Sequence, residues 1–119
     1  GVGTHFITSS DAPYLDTAYK LTEYNGQPKI KTSPGKVTFP YKRQVLRFYH
    51  DGSMDHDETV RIGEEKNGEP LVQLIMDRGE LTAPLPKTEQ IRQTCRQDLE
   101  RLPPALRQLA RTDYPVIIQ

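Results

Sequence analysis

The sequence has 119 residues and a mass of 13.6 kDa, the size of one domain and too short for a multidomain machine. Sixteen Lys and Arg balance sixteen Asp and Glu, with seven of each sign in residues 1–60 and nine of each in 61–119. That balance speaks against a strongly basic nucleic-acid module and against a disordered acidic tail. Only 34% of residues are apolar, and ten prolines with eight glycines interrupt the chain often, so its core must be small for its length. No apolar run approaches the roughly 18 residues that span a bilayer. No basic stretch precedes an apolar one near Gly1, so no signal peptide is expected. Cys95 stands alone, which excludes an internal disulfide and a cysteine-based zinc site within one chain. The expectation is a cytoplasmic protein with no membrane contact.

Taken in order, Gly1-Val2-Gly3-Thr4 is a glycine turn, residues 5–8 a short apolar patch, and Ser9-Ser10-Asp11-Ala12-Pro13 a loop or capping cluster. The opening turn has no element before it, and the first 40 residues carry few strong apolar anchors. Both features predict a piece of something larger. Residues 17–24 are β-rich, and Asn25-Gly26 then predicts a hairpin into residues 27–31, because both residues accept positive φ. Ser33-Pro34-Gly35-Lys36 is the next turn. Residues 44–49 read as a third strand, and Asp51-Gly52 as a second hairpin turn leading to a strand at 59–62. The run from Leu71 to Met76 is nearly all apolar and predicts a buried central strand.

Beyond Pro84-Leu85-Pro86 the period becomes helical, with Ile91, Cys95, Leu99 and Leu102 forming one stripe. Thr88 is the expected N-cap, and Glu89 sits in the first turn, where the helix dipole favours negative charge. Pro103-Pro104 ends that helix, residues 105–111 predict a second short one, and 114–118 a closing strand.

Five sets of residues come into question for chemistry. Gly1-Val2-Gly3-Thr4 could turn backbone amides and a hydroxyl toward a phosphate, or be a plain glycine turn. His50, Asp51, Asp55, His56 and Asp57 could hold a divalent ion, or be a solvated hairpin loop, the reading preferred here. Lys29, Lys31, Lys36, Lys42, Arg43 and Arg47, interleaved with Tyr41 and Phe48, have the profile of a single-strand nucleic-acid face. Seven acids against two bases in residues 51–69 would partly neutralise such a face; a phosphate-rich small ligand or a partner domain's acidic face fits as well, and solvated strand faces are the plainer reading. Cys95, on the apolar stripe, is expected to be a buried core thiol. Arg92, Arg96, Arg101, Arg107 and Arg111 are expected on a solvated outer face. Spacing alone assigns no catalytic residue.

Read together, these blocks resemble the C-terminal part of the nicotinate phosphoribosyltransferase family. The matching stretches are Gly1-Val2-Gly3-Thr4, Ile7 to Pro13, and Tyr19-Lys20-Leu21 with Glu23. They continue through Asn25-Gly26, Pro28, Lys31, Ser33, Gly35-Lys36, Thr38, Pro40, Lys42, Gln44-Val45 and Arg47. Met54 with Asp57, Gly68-Glu69-Pro70-Leu71, and Leu99-Glu100-Arg101-Leu102-Pro103 with Leu106-Arg107 complete them. The resemblance covers nearly the whole chain. Tyr41 departs from it, standing where the family commonly has a glycine turn, and the 50–58 loop is unusually rich in histidine and aspartate.

The resemblance implies an enzyme that joins nicotinate to phosphoribosyl pyrophosphate, giving nicotinate mononucleotide and pyrophosphate, with ATP hydrolysis driving this step of NAD salvage. It implies ATP and magnesium for the whole enzyme, none of it bound within this stretch, and a homodimer without nucleic-acid or membrane partners. It also implies a distorted α/β barrel with a second α+β domain. Residues 1–16 would be the phosphate loop and the end of the barrel, and 17–119 the C-terminal domain. The expected fold is α+β: an antiparallel, hairpin-rich sheet followed by a C-terminal helix pair, completing an α/β-barrel enzyme. Gly3 and Thr4 match the loop that holds the 5-phosphate of the sugar. The family's nicotinate-clamping arginine and phosphorylated histidine lie upstream of Gly1, and His5, His50 and His56 do not match that histidine's context. The stretch is therefore expected to be inactive alone. Two rivals are a stand-alone β-rich module for single-stranded nucleic acid and a subunit-contact domain without a ligand.

Overall fold

The computed structural model describes residues 19–35 and 38–119. Gly3 and Thr4, the cluster at 9–13, Lys36 and the expected 16/17 domain boundary lie outside the described residues. The chain divides into two compact units, residues 1–41 and 42–119.

In the first unit the Asn-Gly hairpin forms as expected. Strands β1 (Glu23–Tyr24) and β2 (Gln27–Pro28) pair antiparallel about Asn25 and Gly26, whose φ angles of 47° and 70° are those of a type I′ turn. The β-rich stretch of 17–24 supplies only the two residues of β1; Tyr19 is fully exposed. Tyr41 has φ 68°, and its amide is held by the carbonyl of Thr22 at 2.9 Å. The departure from a glycine is thus a side chain in left-handed backbone, at a cost of about 1 kcal/mol that glycine would avoid.

The second unit is built on a four-stranded sheet in the order β5 (Glu69–Pro70), β3 (Arg43–His50), β4 (Ser53–Arg61), β8 (Val116–Ile118). Strands β3 (Arg43–His50) and β4 (Ser53–Arg61) form the expected hairpin around Asp51 and Gly52, with φ of 49° and 77°. β4 starts directly after the turn, six residues earlier than the sequence pattern indicates, so Asp55, His56 and Asp57 stand in a strand rather than a solvated loop. The acid- and histidine-rich run lacks apolar alternation, and its pairing comes from the partner strand instead. Phe48 pairs with His56 but Tyr49 with Met54, leaving Asp55 as the extra residue of a bulge. That one-residue step brings Met54 to the same side of the sheet as Asp57. Buried Leu46 and Val60 lie on the opposite side.

Strand β5 (Glu69–Pro70) runs antiparallel to β3, and its proline is tolerated because β5 is an edge. Beyond it the Leu71 amide bonds to Val45 O, and the Gln44 side chain then stands in for a strand, bonding both Val72 O and Val72 N at 2.9 Å. The run 71–75 is not the buried central strand expected: Val72 and Leu74 are 54% and 69% exposed, and no regular strand forms until β6 (Met76–Asp77). Apolarity without a period cannot distinguish a core strand from a surface awaiting cover. β6 turns through Arg78 and Gly79 into β7 (Glu80–Leu81), a separate two-stranded hairpin.

Helix α1 (Thr88–Arg101) follows. Its N-cap is Lys87, one residue before the Thr88 that the sequence favours, and Gln90 Oε1 accepts the Lys87 amide at 2.7 Å. Glu89 is in the first turn as expected. Pro103 and Pro104 end the helix, but a single 3-10 turn (Pro104–Arg107) replaces the second helix, since backbone beyond it becomes extended at Gln108. Among the described residues one helix stands in place of the helix pair, with its last carbonyls at Leu102 and Glu100 capped by the Arg107 guanidinium. Strand β8 (Val116–Ile118) then pairs parallel to β4, making the sheet mixed. The fold is a small α+β unit with antiparallel and mixed sheets. Among the described residues no helix is long and apolar enough to cross a membrane.

Candidate functional site

The Met54 side of the sheet carries the strongest polar constellation. Arg47 on β3 and Asp57 on β4 are direct cross-strand partners. Their side chains meet in a bidentate pair, Nε to Oδ1 and Nη2 to Oδ2, both at 2.9 Å. Tyr114, just before β8, donates its hydroxyl to Asp57 Oδ1 at 3.0 Å. Burial of Asp57 would raise its pKa, but the hydrogen bonds from Arg47 and Tyr114 and the nearby charges outweigh it, so the carboxyl titrates below its ordinary range. The Asp57 hydrogen bond pushes Arg47 up despite its burial. Burial, and then Asp57, raise the Tyr114 phenol. The three groups tie β3, β4 and the approach to β8 together.

Above this floor, α1 is anchored at one end. Arg101 lies 5.3 Å above the Tyr49 ring, 3.9 Å from Glu69 and 3.5 Å from the Tyr49 hydroxyl, while Ser53 donates to its carbonyl. Tyr49 in turn bonds Glu69. Between the helix and the sheet lies a cleft of about 710 Å³. Met54, Arg47 and Tyr114 line one side; Ile91, Cys95 and Leu99 line the other.

On the reverse side, Phe48 and His56 stack with ring centroids 4.7 Å apart and planes within 4°. His56 Nδ1 is 2.7 Å from Asp55, and Nε2 is 3.5 Å from Glu58, which Lys66 also contacts. The Asp55 hydrogen bond leads in raising the imidazole pKa, against desolvation, and Glu58 adds to it. Since the folded value is raised, the stabilisation is complete below the ordinary imidazole value of 6.5 and is lost as pH rises through the folded value. Hydrogen exchange of the β3 and β4 amides, corrected for intrinsic rates, should therefore show weaker protection above neutrality than at pH 6. His56→Gln should abolish that trend, and an unchanged pH trend in the variant rules out the assignment.

The remaining expectations divide clearly. Asp55 and His56 meet at 2.7 Å, but Asp57 does not join them, because the bulge and strand alternation turn it to the other side of the sheet. Among the described residues no group of three or more His, Cys, Asp or Glu could hold a metal ion. The basic stretch is partly used within the fold: Arg43 donates to Thr59 O and Gln119 O, and Arg47 to Asp57. Cys95 is exposed rather than a core thiol, because no residue of α1 is buried. Arg101 and Arg107 make tertiary and capping contacts instead of a purely solvated face. Tyr114 was not singled out by sequence; a lone tyrosine between Asp113 and Pro115 carries no periodic signal.

These features define a small α+β domain with a part-buried ionic anchor on one side of its sheet and an apolar cleft beside it. The family described as nicotinate phosphoribosyltransferase C-terminal domain matches residues 39–119, and the chain belongs to it. The chain is similar to nicotinate phosphoribosyltransferase pncB2 of Mycobacterium tuberculosis H37Rv, 40% identical over 121 residues covering 99% of this chain and 26% of the relative. Similarity extends to the nicotinate phosphoribosyltransferases of mouse, at 32% identity, and human, at 30%, each over 99% of this chain and 27% of the relative. The chain thus spans about a quarter of the length of the curated relatives it matches. No solved structure matches it significantly.

Proposed function

We propose that this chain is the C-terminal part of a cytoplasmic nicotinate phosphoribosyltransferase that makes nicotinate mononucleotide and pyrophosphate from nicotinate and phosphoribosyl pyrophosphate, coupled to ATP hydrolysis. The observation that carries the proposal is similarity along 99% of the chain to relatives of that name, 40% identical in the bacterial case. In this reading residues 1–16 end an α/β barrel, residues 17–119 form the second domain, and the enzyme acts as a homodimer. Magnesium with ATP would supply phosphoryl-transfer energy. No described residues form a set that fits the metal, so no step is assigned to them.

Glycosyl transfer at the anomeric carbon develops oxocarbenium character, and the protein must fix the sugar phosphate while pyrophosphate departs. Gly3 and Thr4 are assigned to that anchoring. A glycine backbone lets amides approach the 5-phosphate closely, and the Thr4 hydroxyl adds a donor without charge. In the full-length enzyme Thr4→Val should raise KM for phosphoribosyl pyrophosphate about tenfold, near the 1.4 kcal/mol of one charge-assisted hydrogen bond, with little change for nicotinate. Steady-state kinetics with each substrate varied in turn makes the comparison; equal effects on both, or none, remove Thr4 from the phosphate site.

A further inference from the structure

The cleft beneath α1 is unusual for an autonomous domain. Ile91 and Leu99 are each 54% exposed on the face turned to it, Cys95 is exposed between them, and no residue of α1 is buried. The stripe has the spacing of a core-facing helix, yet the facing sheet contributes Met54 and the Arg47–Asp57–Tyr114 anchor at a distance that leaves about 710 Å³ between them. An apolar helix stripe left half-exposed over an open cleft is surface suited to being covered. Asp98, which also lines the cleft, makes no side-chain hydrogen bond or ion pair among the described residues.

We propose that this cleft seats an amphipathic segment from the remaining three-quarters of the same polypeptide, placing apolar side chains between α1 and Met54 and a Lys or Arg against Asp98. The inference rests on the reading of the chain as one part of a longer phosphoribosyltransferase. Two observations favour this occupant over a second copy. About three-quarters of the relatives' length lies outside the matched region, so ample chain exists to fill the cleft. Covalent continuity also gives such a segment a high effective concentration that a separate molecule lacks. The described residues bury only Leu46, Met54 and Val60 as core apolar side chains, so cover from elsewhere in the polypeptide would complete a core that they leave small.

The full-length protein provides the test. Alkylation of Cys95 by iodoacetamide, read by peptide mass spectrometry, should be at least about 100-fold slower in the native protein than in denaturant. That protection should persist through a roughly thousandfold dilution. A photo-crosslinking residue replacing Ile91 should join peptides from outside residues 1–119 within the same molecule, as judged with mixed light and heavy isotopic copies. Labelling at the denatured rate overturns the proposal, as do protection lost on dilution, crosslinks between copies, or crosslinks confined to residues 1–119. Turnover of nicotinate and phosphoribosyl pyrophosphate is measured on the same preparation. Turnover with an open cleft defeats the docking and leaves the functional reading intact. A crosslinked, protected cleft without turnover supports the docking and defeats that reading.

Discussion

Asp57→Ala is expected to destabilise the sheet by about 3 kcal/mol, at the low end for breaking a buried ion pair because the Arg47 side chain remains 22% exposed. The loss goes beyond one hydrogen bond. Truncation leaves the guanidinium in a partly dry position without its carboxylate, and the Tyr114 hydroxyl without its acceptor. β3, β4 and the entry to β8 meet at this carboxylate, so protection of all three strands should fall together when the full-length variant is followed by native-state hydrogen exchange. Asp57→Ala with Arg47→Met should recover part of the loss, since no charge is left stranded while the Tyr114 hydroxyl still lacks its acceptor. The pair also sets an acid limit. The Asp57 pKa is depressed, so its contribution is complete above the ordinary carboxyl value of 3.8 and disappears as pH falls through the folded value. Equal protection in Asp57→Ala and the native protein would show that the pair contributes nothing.

Much of this architecture is legible in the residues. Asn25-Gly26 and Asp51-Gly52 announce their turns because left-handed backbone at two successive positions needs such residues. Arg78-Gly79 makes the same kind of turn without the Asn or Asp, and sequence reasoning passes over it. The 71–76 run and the α1 stripe show the limit of hydrophobic pattern. Each is apolar in the way that core elements are apolar, and each is exposed among the described residues. The pattern reports that a surface is made to be covered; it does not say whether the cover lies within the same stretch. Cys95 has the pattern of a core thiol and 71–76 that of a buried strand for this one reason, although both are exposed. The Asp57 anchor was hidden for a different reason, because only the bulge at Asp55 and the Phe48–His56 pairing reveal which carboxylate of the acidic run turns inward.

Gly68→Ala is expected to cost about 2 kcal/mol through overpacking, although the backbone there is not in the left-handed region. A Cβ at this position would stand 2.7 Å from Leu46 Cβ and 3.0 Å from Phe48 Cζ. The phenyl ring could shift, but it is stacked on His56. A Cβ is fixed to its backbone, and every residue except glycine carries one, so no ordinary substitution at Leu46 relieves the first contact. The 63–68 segment must therefore lift from the sheet or β3 must bend. Either movement strains the pairing of Glu69 and Pro70 with Arg47 and Leu46, and behind it the Glu69 contacts with Tyr49 and Arg101 that hold the end of α1. Loss of exchange protection at the Leu71 amide, which bonds Val45 O beside this strand, should precede any change in β4. A Phe48→Leu, Gly68→Ala double variant should recover only part of the loss, because the Leu46 contact remains. Full recovery would place the clash on the ring alone, and an unperturbed single variant would mean that Gly68 does not pack against β3.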